Sequence, residues 1–247
     1  NVFLDIFMVT ALNMGIAGLA WATFIAQTIA AVFAFLVLMK RIKAFKTEGK
    51  VEVFSTTLLK MLMTMAIPSI LQQSFVSVGN LFIQALVNSY GADVIAGYSA
   101  AIKLNTFVTV CITTLGSGVS NFTAQNYGAG KMDRVRGGFK AGVSLMAIVA
   151  IVITAVYMIF AAQLMGFFVD MTETQVVDVG VEFMRIVAPF YIVVGVKIIS
   201  DGTLRGTGQM FPFMVSTFTD LLLRVALSYI LVNFFDEVGI WHSWPVG

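Results

Sequence analysis

Two stretches of this chain, residues 6–39 and 141–169, contain no charged side chain at all. Each is longer than the roughly 20 residues that carry a helix across a bilayer. Inside hydrocarbon every backbone N–H and C=O must be satisfied within the structure, so only helices and closed barrels can span. The apolar/polar alternation of barrel strands is absent. Composition agrees: 59% of residues are hydrophobic and 11% charged, where a soluble domain carries roughly 25% charged residues. The fold class is therefore all-α, a polytopic transmembrane helical bundle. Six full spans are expected at 16–39, 59–88, 93–125, 139–168, 179–204 and 211–234, preceded by a partial span at 1–13. The partial span, about 20 Å as a helix, is too short to cross alone. The chain starts on Asn1 and ends at His242–Gly247 as a new apolar stretch begins. It reads as a fragment, cut inside one helix and just before another.

The charged residues outside the spans sort by side. Lys40, Arg41, Lys43, Lys46, Lys50 and Lys60 cluster between the first two full spans, Lys131, Arg134, Arg136 and Lys140 between the third and fourth, and Arg205 follows the fifth. The alternate loops carry only acids: Asp93; Asp170, Glu173 and Asp178; Asp236 and Glu237. Lys and Arg in short loops mark the cytoplasmic side, so the basic loops, including 40–58, are expected inside. One cysteine and one histidine exclude a disulfide framework and offer no zinc or haem ligand set. A phosphate-binding loop ending at Gly130-Lys131 fails, because Gln125 stands where the first glycine belongs and Met132 where Ser or Thr is needed. The glycines around it, Gly116, Gly118, Gly128 and Gly130, suit close helix packing. Pro68, within the second full span, is expected to kink it.

Five charges lie inside the greasy runs: Lys103, Lys197, Asp201, Asp220 and Arg224. On insertion scales each costs about 2.5–3.5 kcal/mol at the centre of a bilayer, and such residues face a shared interior or a watered cavity. Lys197 and Asp201, and Asp220 and Arg224, are four apart and can meet along one helix face. A Lys197–Asp220 bridge between consecutive antiparallel helices is also feasible, since from the 205–210 loop the two lie roughly 12 and 15 Å deep. Lys103 could join them. This network reads either as a structural lock or as part of a path for something polar. A polar stripe, Gln73, Ser77, Asn80, Gln84 and Asn88, recurs every three or four residues of one span. It fits interhelical hydrogen bonds or the wall of a cavity. Asn1 and Asp5 share a helix face, and Thr23 lies on the next helix. Oxygen ligands from these three could hold Na⁺, Asp5 alone could carry a proton, and an ordinary buried hydrogen bond is the simpler reading.

Taken in order, several segments resemble the multidrug and toxic compound extrusion (MATE) family. They are Asn1-x-x-Leu-Asp5, Met14-Gly15-Ile16-Ala17-Gly18-Leu-Ala-Trp-Ala22-Thr23, Pro68-x-x-x-Gln72-Gln73, Tyr90-Gly91-Ala92-Asp93, Ala124-Gln125-Asn126-Tyr-Gly128-Ala129-Gly130 and Leu204-Arg205-Gly206-Thr-Gly208. The resemblance implies a twelve-helix, two-lobe transporter. Residues 1–39 would end the first lobe, 40–58 would be the inter-lobe loop, and 59–247 would form the second lobe without its last helix. It also implies that Asn1, Asp5 and Thr23 match a first-lobe cation site. Acids that some members carry in the second lobe are replaced here by Val76 and Val194, so a second-lobe cation site of that type is in doubt.

The function this implies is secondary active transport: Na⁺- or H⁺-coupled antiport that exports amphipathic, cationic drugs and xenobiotics by alternating access. No cofactor beyond the coupling ion and no enzyme chemistry is expected. The expected partners are the lipid bilayer and a small organic cation, with no nucleic acid, in a multi-pass monomer of the bacterial inner (plasma) membrane. A lipid-linked glycan flippase of the same superfamily is the alternative within transport. A membrane-embedded lipid-modifying enzyme is the alternative from another class.

Overall fold

The computed structural model describes residues 1–43 and 54–245. Among them there is no strand. The helices are α1 (Val2–Ile6), continued by one π-helical turn (Phe7–Ala11), α2 (Gly15–Lys43), α3 (Thr56–Asn88), α4 (Ala92–Gly128), α5 (Met132–Met165), α6 (Thr174–Val187), α7 (Tyr191–Gly206) and α8 (Met210–Ser243). Six helical stretches are long and apolar enough to cross a membrane, with α6 and α7 together making one of them. Helix α2 runs to Lys43, beyond the expected end at 39, because Lys40, Arg41 and Lys43 favourably meet the negative end of the helix dipole. Most of the expected inter-lobe loop, residues 44–53, lies outside the described residues.

The chain divides into two compact units, Asn1–Thr56 and Thr57–Gly247. In the first, α1 and its π turn pack on α2, and the connection reverses through Asn13 (φ 51°) and Gly15 (φ 54°). Of α2 only Gly18 and Ala22 are buried.

In the second unit α4 lies in the middle, against α5, α6 and α7. Its buried residues, among them Gly97, Ala101, Leu104, Val108, Ile112 and Gly116, recur every three or four positions and form the stripe that a core-facing helix requires. Helices α4 and α7 touch backbone to backbone: a Cβ on Gly202 would fall 2.5 Å from the Gly116 carbonyl oxygen. This is the close approach that small residues permit in membranes. Gly118, Gly128 and Gly130 have nothing near them, so the packing role belongs to Gly116 alone of the four. Two tyrosine hydroxyls are paired where helix faces meet. Tyr157 Oη donates to Leu104 O (2.9 Å), and Tyr191 Oη to Asn105 Oδ1 (2.8 Å).

Hydropathy leaves three details of these helices undefined. The span expected at 179–204 starts at Thr174 and is broken by a 3₁₀ turn, Ala188–Phe190. Pro189 has no N–H to give the helix, and the Ala188 carbonyl accepts from both the Tyr191 N–H of the 3₁₀ turn and Thr154 Oγ1 (2.7 Å). Helix α3 is continuous through Pro68. Helix α8 is interrupted at Phe235–Asp236, just past the expected end of the 211–234 span, where Asp236 takes φ 48°; the fold-back of the following residues was not expected. Gly239 lies against the Leu231–Val232 backbone, the Ser228 and Ser243 hydroxyls are 2.6 Å apart, and Trp241 is fully buried, stacked on Tyr98.

Candidate functional site

Helices α7 and α8 are consecutive and antiparallel, joined by the turn Thr207–Gln209. That places Lys197, about two turns back along α7, opposite Asp220, about three turns into α8. Lys197 Nζ lies 2.6 Å from Asp220 Oδ2 and 3.3 Å from Asp201 Oδ2. One ammonium therefore serves two carboxylates, well within its three donors. The three side chains differ in access: 31% exposed for Lys197, 27% for Asp220 and 10% for Asp201. Lys197 and Asp220 open on a cavity of about 520 Å³, with Ser216 and Thr219 beside Asp220 and Val194, Ile198 and Leu223 among its apolar lining.

A smaller cavity of about 160 Å³ shares Val194, Ile198 and Pro245 with it and reaches Asn105 and Arg224. Arg224 does not pair with Asp220. Its guanidinium donates to Asn80 Oδ1 on α3 (2.9 Å) and lies over the Trp244 ring (5.1 Å), a cation–π contact. So the cross-helix bridge and the Lys197–Asp201 pair are both present, whereas the Asp220–Arg224 pair is not formed.

Lys103 does not join the network. It belongs to an exposed line of α4 with Thr106, Phe107 and Val110, out of phase with that helix's buried face. Its Nζ sits 5.8 Å over the Phe168 ring, at the rim of a separate apolar cleft. Hydropathy places Lys103 within a span but says nothing of its angle around the helix.

The polar stripe of α3 is one line. Gln73, Ser77, Asn80 and Asn88 are exposed and Gln84 is half-buried, while Gly79, Ile83 and Val87 form the buried side. Asn80 takes Arg224, Gln84 donates to Asn88 (2.9 Å), and Ser77 is spent on the Gln73 carbonyl (3.0 Å). Two hydrogen bonds tie α3 to α8: Arg224 to Asn80 from within the stripe, and, from outside it, Gln72 Nε2 donating to Thr217 Oγ1 (3.2 Å).

In the first unit Asn1 Nδ2 is 3.4 Å from Thr23 Oγ1, so these two meet across α1 and α2 as their spacing suggested. Asp5 Oδ1 is shielded and has no hydrogen-bond partner. An ionised carboxylate oxygen left in that state is costly. A proton or a hard cation taking oxygen ligands would relieve it.

Sequence reasoning missed Trp244 and Pro245, which wall the cavities, and the Asn105–Tyr191 pair behind them. The two tryptophans of Gly239-Ile-Trp-His-Ser-Trp244 were the available signal, since such side chains rarely lie free.

A family model described as MatE matches residues 68–230, well over half of the chain. The chain belongs to the MatE family. Among curated relatives, this MatE chain is 28% identical over 242 residues to the probable multidrug resistance protein YpnP of Bacillus subtilis. It is 26% identical to the probable multidrug resistance protein YoeA of the same species and 22% identical to the multidrug export protein MepA of Staphylococcus aureus. These alignments cover 94–98% of this chain and 51–53% of the relatives, so the chain spans about half the length of the curated relatives it matches.

Solved structures show the same fold. An outward-facing multidrug resistance MATE family transporter of the MOP superfamily aligns with TM-score 0.88 at 19% identity, over 99% of this chain and 55% of that one. A MOP superfamily transporter from Pyrococcus furiosus, described by the reversed polarity of its binding pocket and a suggested different function, aligns with TM-score 0.87 at 19% identity, over 99% and 56%. The family is one of transporters, which sets aside the enzyme reading. With six membrane-crossing helical stretches and bacterial relatives, the MatE chain is a multi-pass protein of the bacterial plasma membrane.

Proposed function

We propose that the chain is part of a secondary active exporter, a monomer when full length, that expels amphipathic organic cations in exchange for Na⁺ or H⁺. The observation that carries this reading is the Lys197–Asp201–Asp220 cluster on the wall of a roughly drug-sized cavity inside membrane-crossing helices. Two carboxylates to one lysine favour a cation over the polyanionic head of a lipid-linked glycan, so the flippase alternative is not favoured. The relatives named for multidrug resistance and export support the same substrate class. Residues 1–39 would close the first lobe and 59–247 would make up most of the second. The shielded Asp5, with Asn1 and Thr23 close by, would take the coupling ion in the first lobe. Exchange follows if ion and substrate favour different conformations.

The test is the full-length protein in liposomes, with ethidium as substrate and an imposed Na⁺ or pH gradient. Gradient-dependent ethidium movement is expected. Movement that ignores both gradients would remove the antiport reading, and no movement of any organic cation would remove the exporter reading.

A further inference from the structure

Charge at the α7–α8 cluster does not balance. With its acids ionised it holds Lys197 against Asp201 and Asp220, one positive charge short of neutrality. The neighbouring cation forms no ion pair with either carboxylate: the Arg224 guanidinium is turned to Asn80 and Trp244. The two carboxylates also play unequal parts. Asp201 is one turn from Lys197 on the same helix and nearly buried, and it does not line the cavity. Asp220 is on the facing helix, partly exposed, with Ser216 and Thr219 beside it on the cavity wall.

We infer that Lys197 is a tethered stand-in for the substrate's charge: it occupies Asp220 in the empty site and retires onto Asp201 when a monovalent organic cation binds Asp220. This rests on the cation-exporter reading and deepens it. The lysine's ammonium rides on a flexible four-carbon stem and already lies within 3.3 Å of the second carboxylate, so the exchange needs only a side-chain shift. After it, both positive charges face one carboxylate each and no charge is left over. The stoichiometry admits one unit of positive charge, which selects monocations over dications and anions. The apolar wall of Val193, Val194, Ile198 and Leu223 suits the organic body that an inorganic ion lacks.

The test uses full-length purified protein and ethidium binding read by fluorescence anisotropy. Lys197→Met combined with Asp201→Asn removes the tethered cation and its buried partner, yet leaves the site with its original net charge. If the ammonium holds Asp220 about nine-tenths of the time, the double variant should bind ethidium about tenfold tighter than wild type. Asp201→Asn alone commits the lysine to Asp220 and should bind more weakly. A purely electrostatic role would also weaken Asp201→Asn, but it would leave the double variant equal to wild type. That equality, or weaker binding by a double variant that unfolds normally, overturns the exchange. Should the double variant not fold, Lys197→Arg keeps the charge and grips Asp220 through a planar fork. It should then weaken ethidium binding, and unchanged binding overturns the exchange. Wild type that binds and exports ethidium while the double variant gains nothing overturns only the exchange. Wild type and variants that neither bind nor export it overturn the cation-exporter reading and the exchange with it.

Discussion

Removing Lys197 strands two carboxylates, one of them nearly out of reach of water, whereas removing Asp220 still leaves the ammonium with Asp201. Lys197→Ala is therefore expected to be the costliest single change in the cluster. Breaking a buried pair typically costs about 3–5 kcal/mol, and partial exposure of the lysine lowers this to about 2–4. Adding Asp201→Asn should restore much of the loss in a thermal unfolding experiment in detergent, and strict additivity would show that the two do not interact. In the first unit, Asp5→Asn in the full-length protein should abolish gradient-driven export at near-normal expression. Export with unchanged gradient dependence would make Asp5 structural only. The spacing of Lys197 and Asp201, together with a short loop to the facing helix, made the bridge legible in the sequence. Lys103 was misplaced because hydropathy reports depth and not phase, and phase became visible only once the buried line through Ala101, Leu104 and Val108 was defined.

At the scale of helices, the same glycine-rich motif contains both a contact and a blank. Gly202→Val would drive a side chain into the Gly116 carbonyl and force α4 from α7. Overpacking of this kind costs about 1–3 kcal/mol, and the higher part is expected against rigid backbone. Gly118→Ala, in an exposed and open part of α4, should be neutral or stabilise by roughly 0.5–1 kcal/mol through lost chain entropy. Melting temperatures of the two variants side by side check both, and equal effects would mean that the α4–α7 approach is not close. Uncharged runs marked the spans, since nothing else explains 29 consecutive residues without a charge, such as 141–169. Breaks within spans were less legible. Pro68 and Pro189 look alike in sequence, yet α3 continues through the first while the second turns the chain into a 3₁₀ step. Their surroundings differ: beside Pro189 the Ala188 carbonyl takes a hydrogen bond from Thr154, 34 positions away.

For the molecule as a whole, the one-sided distribution of Lys and Arg makes a topological prediction. Cysteines introduced as Asp133→Cys and Glu173→Cys, both at exposed positions, in a background lacking Cys111, should label from opposite faces of intact cells. The first should be reached only from the cytoplasm and the second from outside. Labelling from one face would overturn the proposed orientation. The bridge between α7 and α8 also bears on how such a chain enters the bilayer during synthesis. Alone, α7 would carry Lys197 and Asp201 into hydrocarbon, and α8 would carry Asp220 and Arg224, each charge at about 2.5–3.5 kcal/mol near the middle. Joined by a turn of three residues, Thr207–Gln209, the two helices can satisfy Lys197 and Asp220 as soon as the second emerges from the ribosome. Biogenesis is thereby weighted toward insertion of the hairpin as one unit, with the first helix waiting for its partner at the translocon.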